Sequence, residues 1–160
     1  MRIAVAADHA GFPLKQGTIE LVRALGHSAE DLGTDSTDPV DYPDFARAVA
    51  VAVASGRCDR GIVICGSGVG ASVAATKVPG IRAAMCHDTF SARQGVEDDD
   101  MNVISLGARV IGPSLAAEII RAFTNARFSE AERHVRRLRK VNAIEEEARN
   151  GAFDAARRMQ

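Results

Sequence analysis

The chain has no tryptophan, a single tyrosine and only 4% aromatic residues, which leaves few flat platforms on which bases or planar cofactors could stack. Its three cysteines, Cys58, Cys65 and Cys86, form no CxxC pair and are odd in number, so neither a disulfide framework nor a zinc knuckle is indicated. Charge of one sign is not in excess. Twenty Lys and Arg stand against 21 Asp and Glu, a net charge of −1, so no molecule-wide field draws in nucleic acid or an anionic membrane. No apolar run reaches the roughly 18–20 residues needed to span a bilayer, and Met1-Arg2-Ile3-Ala4-Val5 opens as a strand without a signal-peptide layout. A cytoplasmic protein with no nucleic-acid or membrane partner is therefore expected.

What is present is ordinary globular composition, 46% hydrophobic and 26% charged, in 160 residues. That length suits one domain, placed at 1–148, with a patternless C-terminal tail at 149–160 that frays. Short apolar runs alternate with helical patterns, as in βαβ units. The first run, 2–7, precedes Leu14, Thr18, Leu21, Val22 and Leu25, which recur at helical spacing until Gly26. A weaker strand at 28–32 and a Gly/Pro/Asp-rich loop at 33–43 follow. In 45–54, Val49, Val51 and Val53 alternate like a strand, but the length, the Asp44 start and the Gly56 stop favour a helix. Strands at 61–65, 81–86 and 102–106 alternate with helices at 69–77, 88–98 and around Leu115, Ile119, Ile120 and Phe123. The fold class is thus α/β, a Rossmann-like α/β/α sandwich on a five-stranded parallel sheet, with strand order 2-1-3-4-5. A charged helical segment at 129–147, with Val135, Leu138, Val141 and Ile144 as its apolar anchors, is expected to pack on a partner subunit.

In such sheets ligands bind beyond the carboxyl ends of the strands, where strand order reverses. Strand one ends in Ala7-Asp8-His9-Ala10-Gly11, strand three in Cys65-Gly66-Ser67-Gly68-Val69-Gly70, and strand four in Cys86-His87-Asp88. With strands one and three adjacent, Asp8, His9, Cys65 and Ser67 converge. The glycine turn offers backbone N–H groups to an anion such as phosphate, carboxylate or enediolate. It lacks the last glycine of GxGxxG and the Gly-Lys-Ser/Thr of a P-loop, so nucleotide binding fits poorly; a plain tight turn is the alternative. Cys65, beside those donors, is placed to act as a base or nucleophile, though a strand-end cysteine also serves as a small core residue. Cys58 and Cys86 lack that setting and read as packing residues. His9 and Asp8 also fit a turn or cap, and His87-Asp88 a helix start. Arg133 and Arg137, at i and i+4, can clamp one phosphate; a solvated charged face is the plainer reading, and nucleic-acid binding a third.

These residues together resemble the family of ribose 5-phosphate isomerase type B and the related galactose 6-phosphate isomerase subunits. The resemblance rests on Asp8 to Gly11, Asp41-Tyr42-Pro43, Cys65 to Gly70, Lys77-Val78-Pro79-Gly80-Ile81-Arg82-Ala83, Asn102-Val103, Gly107-Ala108-Arg109-Val110-Ile111-Gly112, and the Arg133/Arg137 pair. It implies a homodimer or dimer of dimers whose active sites are built from two subunits. The implied reaction is aldose–ketose isomerisation of a small phosphorylated sugar, of the ribose 5-phosphate to ribulose 5-phosphate type, in carbohydrate metabolism by the pentose phosphate pathway, without metal or organic cofactor. Cys65 would move the proton through a cis-enediolate. The backbone of Gly66, Gly68, Val69 and Gly70 would stabilise the oxyanion, and Ser67 would relay a proton. His9, Arg133 and Arg137 would hold the phosphate, and Asp8 the sugar hydroxyls.

One departure stands out: where the family commonly has His-Asn-Asp, with the His opening the furanose ring, this chain has Asp98-Asp99-Asp100. Asp98 then stands as the catalytic group and Asp99 as a substrate contact. Three explanations compete: Asp98 shuttles the proton itself, the chain is a weakened enzyme or a binding subunit, or the substrate is linear. A tetrose 4-phosphate, whose terminal oxygen is esterified, forms no furanose and needs no ring opening.

Overall fold

The computed structural model describes residues 1–153, and the expected tail falls partly on residues 154–160, outside the described residues. Eleven elements follow in the order β1 (Arg2–Ala7), α1 (Phe12–Ala24), β2 (Ser28–Asp31), α2 (Tyr42–Ala54), β3 (Arg60–Cys65), α3 (Val69–Ala75), β4 (Ala83–Met85), α4 (Thr89–Asp99), β5 (Val103–Gly107), α5 (Pro113–Asn125) and α6 (Glu132–Arg149). The five strands form one all-parallel sheet.

Each central strand alternates its side chains between two apolar layers, as the pleat requires. Ile3 and Val5 of β1, Ile62 and Ile64 of β3, and Ile104 and Leu106 of β5 face α1, α4 and α5, meeting Ile19, Val22, Val96, Ile119, Ile120 and Phe123. Ala4, Ala6, Val63, Cys65 and Val103 face α2 and α3. The helix α2 settles the ambiguous valines. Val49 and Val53, four residues apart, are buried, whereas Val51 is 42% exposed. A strand would have put all three on one face. Val49 sits over Gly61, where a Cβ would lie 2.3 Å from its methyl, so the small residues of β3 and α2 let helix and sheet approach closely.

The strand order is β2-β1-β3-β5-β4, which corrects the expected 2-1-3-4-5 at its last two places. An interior strand of a parallel sheet is covered on both faces and reads as a near-continuous buried run. All five residues of β5 are buried, while β4 is three residues long and its Met85 is 41% exposed, an edge strand. The switch between β1 and β3 stands as expected, with Ala7 opposite Ile64.

Outside the sandwich, α6 leans on the C-terminal end of α4 and buries only His134. Val141 and Ile144 on it are 49% and 59% exposed. Among the described residues no helix is long and apolar enough to cross a membrane.

Candidate active site

After β1 the chain turns back on itself through Asp8. The Asp8 N–H donates to the Ile64 carbonyl (3.2 Å), and its Oδ1 accepts from the Gly11 N–H (2.8 Å). Gly11 is obligatory: a Cβ there would lie 2.2 Å from the Ile64 carbonyl oxygen. The turn thus presses the Asp8-His9 pair against the end of β3. Asp8 is buried, and its Oδ2 has no hydrogen-bond partner among the described residues. The His9 Nδ1 lies 3.2 Å from both the N and the O of Val40. With the Val40 N–H as donor to Nδ1, the neutral ring carries its proton on Nε2 and keeps that N–H for a ligand.

At the end of β3, the Cys65 Sγ accepts the Gly68 N–H at 3.1 Å. Gly68 has φ +83°, the left-handed region that glycine adopts freely, and its carbonyl accepts from the Ser105 Oγ (2.6 Å) and the Ser72 N–H (3.1 Å). The loop after β5 braces the same turn: Ala108 N–H donates to the Cys65 carbonyl (2.9 Å) and Arg109 N–H to the Gly66 carbonyl (3.0 Å). Within the turn, the Val69 N–H reaches the Ser67 Oγ (3.3 Å). The amides of Gly68 and Val69 are therefore engaged inside the protein. Those of Gly66, Ser67, Gly70 and Ala71 make no hydrogen bond among the described residues. Backbone N–H donors left free in a glycine turn that follows a thiol are the kind of groups that stabilise a developing oxyanion.

These parts line one open cleft of about 350 Å³, formed by Asp8, His9, Ala10, Tyr42, Cys65, Gly66, Ser67, Gly70, Arg109 and Val110. Asp8, His9, Cys65, Gly66, Ser67 and Gly70 are brought together as expected. Tyr42 and Arg109 were singled out only as parts of longer motifs. Tyr42 packs against Gly70, where a Cβ would come within 2.7 Å of its ring. Arg109 runs beside Gly66 because β5, not β4, neighbours β3; with the strand order corrected, its place at the cleft follows.

The other expected residues lie elsewhere in the chain. Asp98, at the end of α4, accepts the Gln94 Nε2–H on Oδ2 (2.8 Å), and its Oδ1 stands 3.4 Å from the His134 Nδ1. Asp99 is exposed. Arg133 and Arg137 project from α6 and form no salt bridge among the described residues. The two other cysteines are buried away from the cleft, and burial pushes both thiols up to about 11. Asp88 caps α4 by accepting the Ser91 N–H (2.7 Å), a bond that holds its carboxyl below the usual range, and His87 Nε2 accepts the Gly107 N–H (3.0 Å).

The ribose/galactose isomerase family matches residues 3–141, a span that contains both the cleft and the arginine pair. The chain belongs to that family. Ribose-5-phosphate isomerase B of Escherichia coli strain K12 is 43% identical over 145 residues, covering 91% of this isomerase and 97% of the relative. The D-erythrulose-4-phosphate isomerase of Pectobacterium atrosepticum is 45% identical over 130 residues, 80% of this chain and 85% of its own. Among solved structures, ribose-5-phosphate isomerase B of Clostridium thermocellum superposes with a TM-score of 0.90 at 45% identity, covering 92% of this chain and 99% of that one. The sheet of this isomerase is thus that of a family fold spanning almost the whole chain.

Proposed function

We propose that the aldose–ketose isomerisation this enzyme performs on sugar phosphates is of the ribose 5-phosphate to ribulose 5-phosphate type, with Cys65 as the base. The thiolate takes the proton from the carbon beside the carbonyl, and the C–H electrons flow into a cis-enediolate. The unoccupied amides of Gly66, Ser67, Gly70 and Ala71 hold the oxyanion, the Ser67 hydroxyl moves a proton between the two oxygens, and the thiol returns its proton to the neighbouring carbon. The Asp8 carboxylate grips a sugar hydroxyl. His9 and Arg109 receive the phosphate. Arg133 and Arg137 complete that grip from α6 of a second protomer, since in their own chain they stand away from the cleft. The exposed Val141 and Ile144 of α6 support such a homodimer or dimer of dimers. The observation that carries the reading is the Cys65 thiol, which accepts the Gly68 N–H and lines one cleft with Asp8, His9, Gly66, Ser67 and Gly70.

Cys65→Ala tests it: kcat falls at least about 10³-fold, as for loss of a reacting group, while the sugar phosphate still binds. Near-full activity in that variant overturns Cys65 as base. Binding by the unaltered chain, without entry of solvent deuterium into the sugar, would instead make it an impaired binding subunit.

A second reading of the substrate has its own support. Where the resemblance leads one to expect a histidine the chain has Asp98, whose Oδ2 accepts the Gln94 amide and whose Oδ1 lies 3.4 Å from the His134 Nδ1, so no imidazole stands at this position to open a ring. A 45%-identical relative bears the name of a tetrose phosphate isomerase. A linear tetrose 4-phosphate needs no ring opening. The ratio of kcat/KM for ribose 5-phosphate to that for erythrulose 4-phosphate decides: well above one supports the pentose, far below one the tetrose. In the second case Asp98→His raises turnover of ribose 5-phosphate and leaves the tetrose unchanged.

A further inference from the structure

His134 is 3% exposed, the only buried residue of α6, and plays no part in the reaction as proposed. It sits in a small polar joint between α4 and α6. Its Nδ1 is hydrogen-bonded to the Ser129 Oγ at 2.6 Å and lies 3.4 Å from the Asp98 Oδ1. Ser129 in turn donates its N–H to the Glu97 carbonyl (3.0 Å), and its Oγ accepts the Ala131 N–H (3.3 Å) where the helix begins. The far end of α6 is held by Glu145, whose carboxylate accepts the Gly80 N–H at 2.8 Å. Between these two attachments the helix has mostly exposed residues.

The arginines are set by the same joint. At about 100° per residue, Arg133 and Arg137 leave the helix about 100° and about 60° from His134, both on the same side. A roll of about 20° about the helix axis would carry a guanidinium about 9 Å from that axis through about 3 Å, beyond hydrogen-bond reach. An apolar residue at 134 would remove the Ser129 Oγ–Nδ1 hydrogen bond and leave the roll of the helix unfixed.

We infer that His134 is a positioning residue for the phosphate: through Ser129 and Asp98 it locks the roll of α6 on α4, so that Arg133, Arg137 and Asp98 act as one rigid wall. This rests on Arg133 and Arg137 being the phosphate grip of the proposed reaction. That premise has its own control, because Arg137→Ala must weaken competitive inhibition by inorganic phosphate; if it does not, the grip is misassigned and the joint is not the cause.

The test measures KM and kcat for the sugar phosphate, and the inhibition constant of inorganic phosphate, in the full-length assembled protein. His134→Phe, similar in size but without the nitrogen, raises KM and the phosphate inhibition constant together by about tenfold, equivalent to about 1.4 kcal/mol, and changes kcat less than about threefold. His134→Asn, whose amide falls near Nδ1, recovers most of the loss; His134→Gln, whose amide falls near Nε2, does not. Ser129→Ala, an exposed-loop change that threatens folding least, moves both constants in the same direction by a few-fold. The inference is overturned by an unchanged phosphate constant in Ser129→Ala and His134→Phe, by recovery in Gln equal to that in Asn, or by a loss confined to kcat.

Discussion

Replacing Gly107 by alanine probes whether the amide loop must stand where it does. The added methyl would lie 2.5 Å from the Ser67 carbonyl oxygen and 2.6 Å from its carbon, with His87 Nε2 at 3.0 Å on another side. Ordinary contact begins near 3.4 Å, so about 0.9 Å of relief is needed. The strand cannot easily supply it, because all five residues of β5 are buried and it is paired along its whole length to β3, Gly107 opposite Cys65. The 66–70 turn must recede instead, stretching the bonds from Ala108 and Arg109 that brace it. Overpacking of this kind costs about 1–3 kcal/mol of stability. Catalysis should suffer more. Donors at an oxyanion act over about 2.7–3.1 Å, and a misplacement of about 1 Å costs on the order of 10² in rate. The expected outcome is a folded protein whose kcat is about a hundredfold lower and whose affinity for the substrate's phosphate end is changed little. The assay pairs steady-state kinetics with inhibition by inorganic phosphate and chemical denaturation. A folded variant within threefold of the parent kcat would refute the view that the position of these amides supports the reaction.

Gly17 gives the opposite case, since it lies exposed inside α1 and a Cβ there meets nothing within 4 Å. Gly17→Ala should therefore stabilise by about 0.5–1 kcal/mol without altering kcat, and a thermal melt showing no gain would contradict the helix-entropy argument. Lys15 is buried, pairs with Asp31 at 2.8 Å and donates to the Thr34 carbonyl at 2.6 Å; Lys15→Met should cost about 1–3 kcal/mol in urea denaturation, and an unchanged midpoint would show these bonds to be replaceable by water. Cys58 and Cys86 have thiols raised from 9.0 to about 11, so the unfolded chain loses these protons first. Stability should then be insensitive to them below pH 9 and fall as pH rises from 9 towards 11; denaturation at pH 8 and pH 10 checks it, and a Cys58→Ala/Cys86→Ala variant with an equally steep fall would assign the loss to other groups.

How much of this was legible in the sequence depends on how far apart the partners lie along the chain. The turn at Asp8 to Gly11 and the turn at Cys65 to Gly70 are each built from residues within a few positions, and both stand where the strand-end rule put them. The helix expected over 45–54 was legible in spite of its alternating valines, because length and end signals outweighed three residues, but it begins earlier, at Tyr42 after an Asp41 N-cap, where a loop was expected. What could not be read was which amides of the glycine turn remain free. The Gly68 N–H is taken by Cys65 and the Val69 N–H by Ser67, a matter of local dihedrals that residue identity alone leaves open.

The order of the last two strands shows the other limit. Segments 81–86 and 102–106 both read as short apolar runs, and a right-handed crossover can place either one beside β3. Only packing separates them: β5 fills an interior slot with five buried residues, whereas β4 keeps three residues at an edge. The consequence reaches the chemistry. With β5 beside β3, the segment after β5 lies across the segment after β3, so Ala108 and Arg109 brace the glycine turn through their backbones while the Arg109 side chain lines the cleft. Ligand sites at a topological switch draw on strands adjacent in space. One exchanged pair in the strand order therefore hides a cationic side chain of the cleft, even where every strand and both glycine-rich turns are read correctly.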